Sequence, residues 1–213
     1  MKYTITTGDC ADISTDCLVV GVYAGSKLTP SAISVDEATG GLLKRLAKRG
    51  DIEGTSGHTL LVPCEDDLPA PRLLVVGLGV ANQLDADEFS AVVRSAATAL
   101  QRTGATNAAV TLAEAKVKQR DLGERTRIIV EAFSVSRYRF DRLKSKKSKS
   151  KNRILSKIIL PVQEKSSVAA VRRRVREGEA VSSGVQLARD LANLPGNICT
   201  PSYLAEQARK LQR

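Results

Sequence analysis

A chain of 213 residues can bury a core without disulfides, and its 42% apolar share comes from Val, Leu, Ile and Ala, with three Phe, four Tyr and no Trp. An aliphatic core of that kind excludes recognition built on stacked aromatic rings. The net charge of +10 is concentrated: Arg142 to Lys157 carries eight cations and no acid, and removing those eight leaves +2.

The opening residues, MKYTITTGDCADIS, lack the apolar centre of a secretory signal, and no run approaches the ~20 apolar residues of a membrane span. The expected compartment is therefore the cytoplasm, with no membrane partner. Cys10, Cys17, Cys64 and Cys199 form no CxxC pair, and three of them lie in or beside apolar runs, the setting of small buried thiols.

Three runs rich in β-branched residues come first: KYTIT at 2–6, CLVVGVY at 17–23 and HTLLVP at 58–63, the last two reading as buried strands. Between the second and third, Thr29 is a helix N-cap with Pro30 at the first helical position. Leu42, Leu43 and Leu46 recur at helical spacing, Gly40-Gly41 splits the segment in two, and Gly50 stops it. RLLVVGLG at 72–79 is a continuous apolar strand. Asp85-x-x-Glu88 then forms a capping box, and Phe89, Val92, Val93, Ala96 and Leu100 share one helical face. A strand at NAAVTL (107–112) follows, then a helix over 119–136 with Leu122, Ile128, Ile129, Ala132 and Val135, the lysine run, and a strand at RILSKIIL (153–160). Strands alternating with helices, apolar on both faces at the centre, predict a three-layer α/β sheet.

Beyond Pro161 the pattern changes. Val168, Val171, Val175, Gly178, Val181, Val185 and Ala188 recur at steps of three and four, which predicts one helix from Ser166 to Leu191, about 39 Å long at 1.5 Å per residue. A helix of that reach suits a bridge between two bodies.

Several constellations carry possible chemistry. VVGLGVAN at 75–82 places a glycine turn after a strand, as in a dinucleotide loop, but Asn82 stands where the third glycine belongs; the plain alternative is a turn. His58 is the only histidine and has no metal-ligating partner at suitable spacing, so it reads as structural. Glu65, Asp66 and Asp67 form an acidic run that a solvated loop accounts for as well as a cation does. Lys144, Lys146, Lys147, Lys149, Lys151 and Arg153, with Arg172 and Arg173 on the long helix, form a candidate nucleic-acid contact through phosphate neutralisation. The alternatives there are a solvated loop and a charged helix face complemented by Glu177 and Glu179.

The stretch LARDLANLPGNICTPSYLAEQA, near the end of the chain, resembles the junction of the leucyl (cytosol) aminopeptidases, the bacterial PepA-like metallopeptidases. In that family a helix ending Ala-Arg-Asp-Leu leads into Asn-x-Pro-x-Asn and Thr-Pro before the catalytic domain. GDIEGTSGHTLLV (50–62), RLLVVGLG (72–79) and YRFDRLKSKKSK (138–149) resemble earlier landmarks of the same family, so the resemblance covers most of the chain. Gly196 departs from it, because relatives often carry a second proline there. The family's catalytic signature, Asn-Thr-Asp-Ala-Glu-Gly-Arg, does not occur in these residues, so no catalytic or metal-binding position carries over.

The resemblance implies a macro-domain-like mixed sheet over 1–163, an interdomain helix over 164–195 and the start of a catalytic peptidase domain over 196–213, the chain stopping shortly after that domain begins. For the complete enzyme it implies a homohexamer with two divalent metals, zinc or manganese, releasing N-terminal residues such as leucine from peptides. No cofactor is expected within this chain, which is expected to be inactive alone and to serve assembly and substrate access. Some bacterial members also bind DNA, which is the second expectation for the basic residues, and the macro-like fold raises a third, a pocket for ADP-ribose or a similar nucleotide.

Overall fold

The computed structural model describes residues 1–64, 67–144 and 154–211. Its strands are β1 (Lys2–Thr7), β2 (Leu18–Tyr23), β3 (Lys27–Leu28), β4 (Thr59–Pro63), β5 (Arg72–Gly77), β6 (Asn107–Val110) and β7 (Lys157–Val162), and its helices α1 (Pro30–Ala38), α2 (Leu42–Arg49), α3 (Ala86–Gln101), α4 (Leu122–Arg137), α5 (Val168–Asn193) and α6 (Pro201–Leu211). Among the described residues the seven strands form one sheet in the order β1-β7-β6-β2-β5-β4, with β3 antiparallel to the end of β2. The pairs from β1 across to β5 are parallel, and β4 is antiparallel to β5.

All six residues of β2 are buried, and they alternate between two cores. Val19 points into a cluster with Phe89, Leu100, Ile129 and Phe133, under α3, α4 and α5. Leu18, Val20 and Val22 point into a second, with Val35 and Leu43, under α1 and α2. The expected three-layer α/β architecture is present. Local signals place the helices as expected: Thr29 and Pro30 start α1, Asp85 and Glu88 form the reciprocal capping box of α3, and Gly41, at φ 86°, separates α2 from α1. Asp36, its side chain nearly inaccessible, joins the two short helices by accepting from the Lys44 N–H at 3.0 Å and pairing with its ammonium at 3.1 Å.

Four expectations need correction. HTLLVP forms β4, an edge strand with Leu61 44% exposed rather than a buried one; a run of β-branched residues reads alike at an edge and at the centre. The strand expected over 107–112 ends at Val110, because the chain turns through a 3-10 helix at Leu112–Glu114. The strand expected over 153–160 runs from Lys157 to Val162, leaving Ile154 exposed. The long helix starts two residues later than expected and spans 26 residues, its apolar stripe covered only in its first half: Val171 and Val175 are buried, whereas Val181, Val185 and Ala188 are exposed.

At the carboxyl ends of β2 and β5 the residue 50–57 loop is locked on by backbone bonds, Gly79 N–H to Gly54 O at 2.9 Å and Gly57 N–H to Gly77 O at 2.9 Å. Gly54 has φ +76°, and a Cβ there would lie 2.0 Å from the Tyr23 carbonyl oxygen. Gly54→Ala is expected to lower stability by about 3 kcal/mol, read as a lower urea midpoint. Gly184→Ala, at an open helical position, is expected to raise it by up to about 1 kcal/mol.

Asp16 ties the amino ends of the strands together. The Thr106 N–H and hydroxyl each donate to it at 2.7 Å, and the backbone N–H foremost holds its carboxyl below the usual range. A depressed folded pKa contributes stability that is complete above the unfolded value and lost as pH falls through the folded one. The urea-midpoint difference between wild type and Asp16→Asn is therefore expected to be constant above about pH 5 and to shrink below about pH 4.

Candidate functional site

In an open α/β sheet, ligands bind beyond the carboxyl ends of the strands, where successive connections leave for opposite faces. Here β2 feeds α1 on one face and β6 feeds α4 on the other, and a cleft of about 520 Å³ opens between them, lined by Asp9, Ser31, Thr111, Glu114, Arg125 and Glu164 among others. The amino end of α1 at its wall is already filled. The Ser31 N–H donates to both carboxylate oxygens of Glu114 at 3.2 Å, and the Ser31 hydroxyl donates at 2.7 Å. Burial pushes the Glu114 carboxyl up from its ordinary range.

The glycine turn at 75–82 is not a phosphate loop. The N–H groups of Gly77, Leu78 and Gly79 donate to His58 O, Val22 O and Gly54 O at 2.8 to 2.9 Å, so none is free to meet an anion. With that loop closed, the nucleotide reading loses the phosphate contact that the glycine turn offered it. His58 is exposed and contributes through its backbone, donating to Thr55 O and accepting from Gly77. Among the described residues no group of three or more His, Cys, Asp or Glu is placed to hold a metal. The chain's described residues therefore do not fit a metal pair, and no chemical step is derived through one. Glu65 and Asp66 lie outside the described residues.

The cations predicted for nucleic acid are divided. Lys146, Lys147, Lys149, Lys151 and Arg153 lie outside the described residues. Lys144 pairs with Asp141. Arg172 and Arg173 are exposed on the first turns of α5, where Arg173 pairs with Glu177 at 3.2 Å. Helices α4 and α5 run in parallel, with Gly123 against Arg174 and Tyr138 against Asp190. From Arg172 to Asp190 is about 27 Å along α5 at 1.5 Å per residue, so these arginines and Lys144 stand at opposite ends of the helix pair.

The α4 and α5 contact depends on small residues. A Cβ on Gly178 would sit 3.0 Å from the Val130 side chain, so the helices approach about as closely as a glycine allows. Among the described residues the apolar stripe is exposed beyond Ser182, where Val181 and Val185 line a groove of about 80 Å³ with Val135 of α4. What secures the far end of α5 is polar. Tyr138, the residue that ends α4, donates its hydroxyl to Asp190 at 2.9 Å and accepts from Asn193 at 3.0 Å, while the Arg189 guanidinium lies 4.3 Å over its ring. Four residues on, Arg142 reaches the Tyr203 hydroxyl of α6 at 3.5 Å. Ile198, Leu204 and Leu211 are exposed there. Neither Tyr138 nor Glu114 stands out in the sequence as a site residue, because each acts through a partner far along the chain; the placement of Tyr138 within the quoted YRFDRLK landmark was the available signal.

The profile described as "Cytosol aminopeptidase family, N-terminal domain" matches residues 19–147. The chain belongs to the cytosol aminopeptidase family. The probable cytosol aminopeptidase of Alkalilimnicola ehrlichii is 42% identical over 211 residues, covering 99% of this chain and 42% of that protein. A solved structure of a mutant tomato leucine aminopeptidase superposes with a TM-score of 0.74 at 25% identity, covering 98% of this chain and 42% of that one. The bottromycin maturation enzyme BotP in complex with Mn gives 0.67 at 25% identity, covering 92% and 36%. The chain thus spans about 42% of the length of the curated aminopeptidases it matches. No described helix is long and apolar enough to cross a membrane.

In this aminopeptidase-family domain, Tyr138→Phe keeps the ring under Arg189 and deletes both hydroxyl bonds. The urea midpoint is expected to fall only slightly, while amide hydrogen exchange at residues 190–194 accelerates and exchange across α3 stays unchanged. Uniform acceleration through both helices would show that the tyrosine supports the core rather than the end of α5.

Proposed function

We propose that this chain is the non-catalytic N-terminal domain of a leucyl aminopeptidase, a cytoplasmic metal-dependent exopeptidase that releases N-terminal residues such as leucine from peptides. Residues 1–163 are the folded body, 164–195 the interdomain helix, and 196–213 the first element of a catalytic body of the kind that holds the two divalent metals, manganese or zinc. The role of the domain is to hold subunits of a homohexamer in register and to limit which peptides reach the active sites.

The observation that carries this reading is the apolar stripe of α5, which is exposed among the described residues past Ser182 and is followed on α6 by further exposed leucines. Exposed apolar surface in a continuous strip marks a place where another body packs. The share of its relatives that the chain spans supports the same reading. Among the described residues nothing favours DNA over solvent as the partner of Lys144, Arg172 and Arg173, so DNA contact forms no part of the proposal.

The test has two arms. The pure chain with manganese is expected to leave leucine p-nitroanilide intact. Joined in frame to the remaining segment of the Alkalilimnicola ehrlichii relative, it is expected to hydrolyse that substrate and to elute as a larger assembly. Hydrolysis by the chain alone, or a soluble fusion with neither activity nor assembly, would overturn the reading.

A further inference from the structure

We propose that the far half of α5 is a hinged lever, which turns about Ser182, Ser183 and Gly184 and is held against α4 by the Tyr138 cluster acting as a latch. The inference concerns how α5 moves and does not depend on the peptidase reading.

The hinge is a break in the pattern of the helix. The buried positions of α5 are Val171, Val175, Gly178 and Ser182, so a hydroxyl stands where the spacing asks for another apolar side chain. The Ser182 Oγ is buried and has no hydrogen-bond partner among the described residues, and an unsatisfied buried hydroxyl weakens the contact it belongs to. Ser183 donates its own hydroxyl to the Glu179 carbonyl at 2.8 Å. An α-helix assigns that carbonyl to the Ser183 N–H, and a serine sharing it in this way bends the helix. At Gly184 no atom lies within 4 Å of where a Cβ would stand. Close packing therefore does not require glycine there, and what it contributes is backbone freedom. Adjacent serine and glycine are among the few recognised causes of a helix kink.

The helix is weaker at this joint than beyond it. Residues 185–193 read VQLARDLAN, in which Gln, Leu, Ala and Arg are good helix formers. The contacts on the two sides also differ in kind. Before the joint Val171 and Val175 are buried and Gly178 lies close against Val130. After it Val185 is exposed, and the hold is polar, through Tyr138 with Asp190, Asn193 and Arg189. A soft joint at one end and a few polar bonds at the other give the segment two arrangements, latched and swung. From Gly184 to Asn193 is about 14 Å along the axis, so a bend of about 20° at the joint carries Asn193 about 5 Å and redirects α6 with it. The contacts of Arg142 with Tyr203, at 3.5 Å, are at the limit of hydrogen bonding and can give way.

Residual dipolar couplings in the intact, isotope-labelled chain report the axes of residues 168–181 and 185–190 separately, and Cα chemical shifts report whether each is helical. The wild type is expected to show one common axis. In Tyr138→Phe the couplings of 185–190 are expected to shrink and to depart from that axis while their Cα shifts stay helical. Adding Ser182→Ala, Ser183→Ala and Gly184→Ala to Tyr138→Phe is expected to restore the single axis without the latch. Unchanged amide shifts in β2 show that each variant is folded. Two axes already in the wild type, a single axis in Tyr138→Phe, Cα shifts of 185–190 falling toward coil values, or no recovery with the three alanines would overturn the proposal. None of these results bears on the leucine p-nitroanilide assay, so the two readings fail separately.

Discussion

The structure depends on keeping β2 wholly out of water. A strand buried on both faces must satisfy its backbone along both edges and find an apolar partner on each side. β2 does so with β5 on one edge and β6 then β3 on the other. Its alternating side chains define the two cores, and the two cores in turn fix which helices lie on which face. The cleft follows from the same constraint, because the connections after β2 and β6 leave for opposite faces and cannot both cover the strand ends. On the other side of β2 those ends are sealed, as the residue 50–57 loop packs so tightly that only glycine fits at positions 54 and 77.

Helix α5 joins a firmly held half to a lightly held one. Burying Val171 and Val175 is worth about 1.5–3 kcal/mol for each side chain, and the glycine at 178 brings the helices near enough for that contact to be continuous. The far half is secured by the hydroxyl bonds of Tyr138 and a cation over its ring, contacts partly open to solvent and so weaker than the buried valines. The end of α5 is consequently the first part of the helix pair to open. An element fixed at one end and adjustable at the other suits a junction, since its exposed valines can settle against a neighbour without disturbing the core.

What was legible in the sequence follows the range of the interactions. Thr29-Pro30 and Asp85-x-x-Glu88 marked helix starts correctly because a cap is made by residues three apart. The face of α3 was legible for the same reason. The stripe of α5 gave its axis and its length, two residues out of position, but periodicity is identical whether a stripe is covered or bare, so the change at Ser182 was invisible. The turn at 77–79 could not be told from a phosphate loop by its glycines alone, because the carbonyls that take its N–H groups belong to His58, Val22 and Gly54. Glu114 and Ser31 are 83 positions apart, and Tyr138 and Asp190 are 52; no local pattern encodes such pairs. The resemblance of GDIEGTSGHTLLV to a family landmark has a physical basis here, since Gly54 and Gly57 both hold left-handed backbone that the sealing loop requires.

The titrating groups of the described domain bear on whether it binds or reacts. Proton transfer at neutral pH needs a group whose pKa lies near 7, and a thiol nucleophile needs one lowered by a nearby cation or base. Burial instead pushes Cys10 up to about 11, and Cys17 and Tyr3 up to about 12, each away from neutrality. Tyr3 is further occupied in donating to the Val130 carbonyl. Glu114 moves the opposite way, toward neutrality, yet its oxygens accept from the Ser31 N–H and hydroxyl, and protonation would weaken the contact that closes the amino end of α1. A carboxylate committed to structure in this way has its oxygens taken by Ser31 before any visitor arrives. The shifts therefore mark these groups as parts of the packed structure, set by burial and by the bonds they already hold.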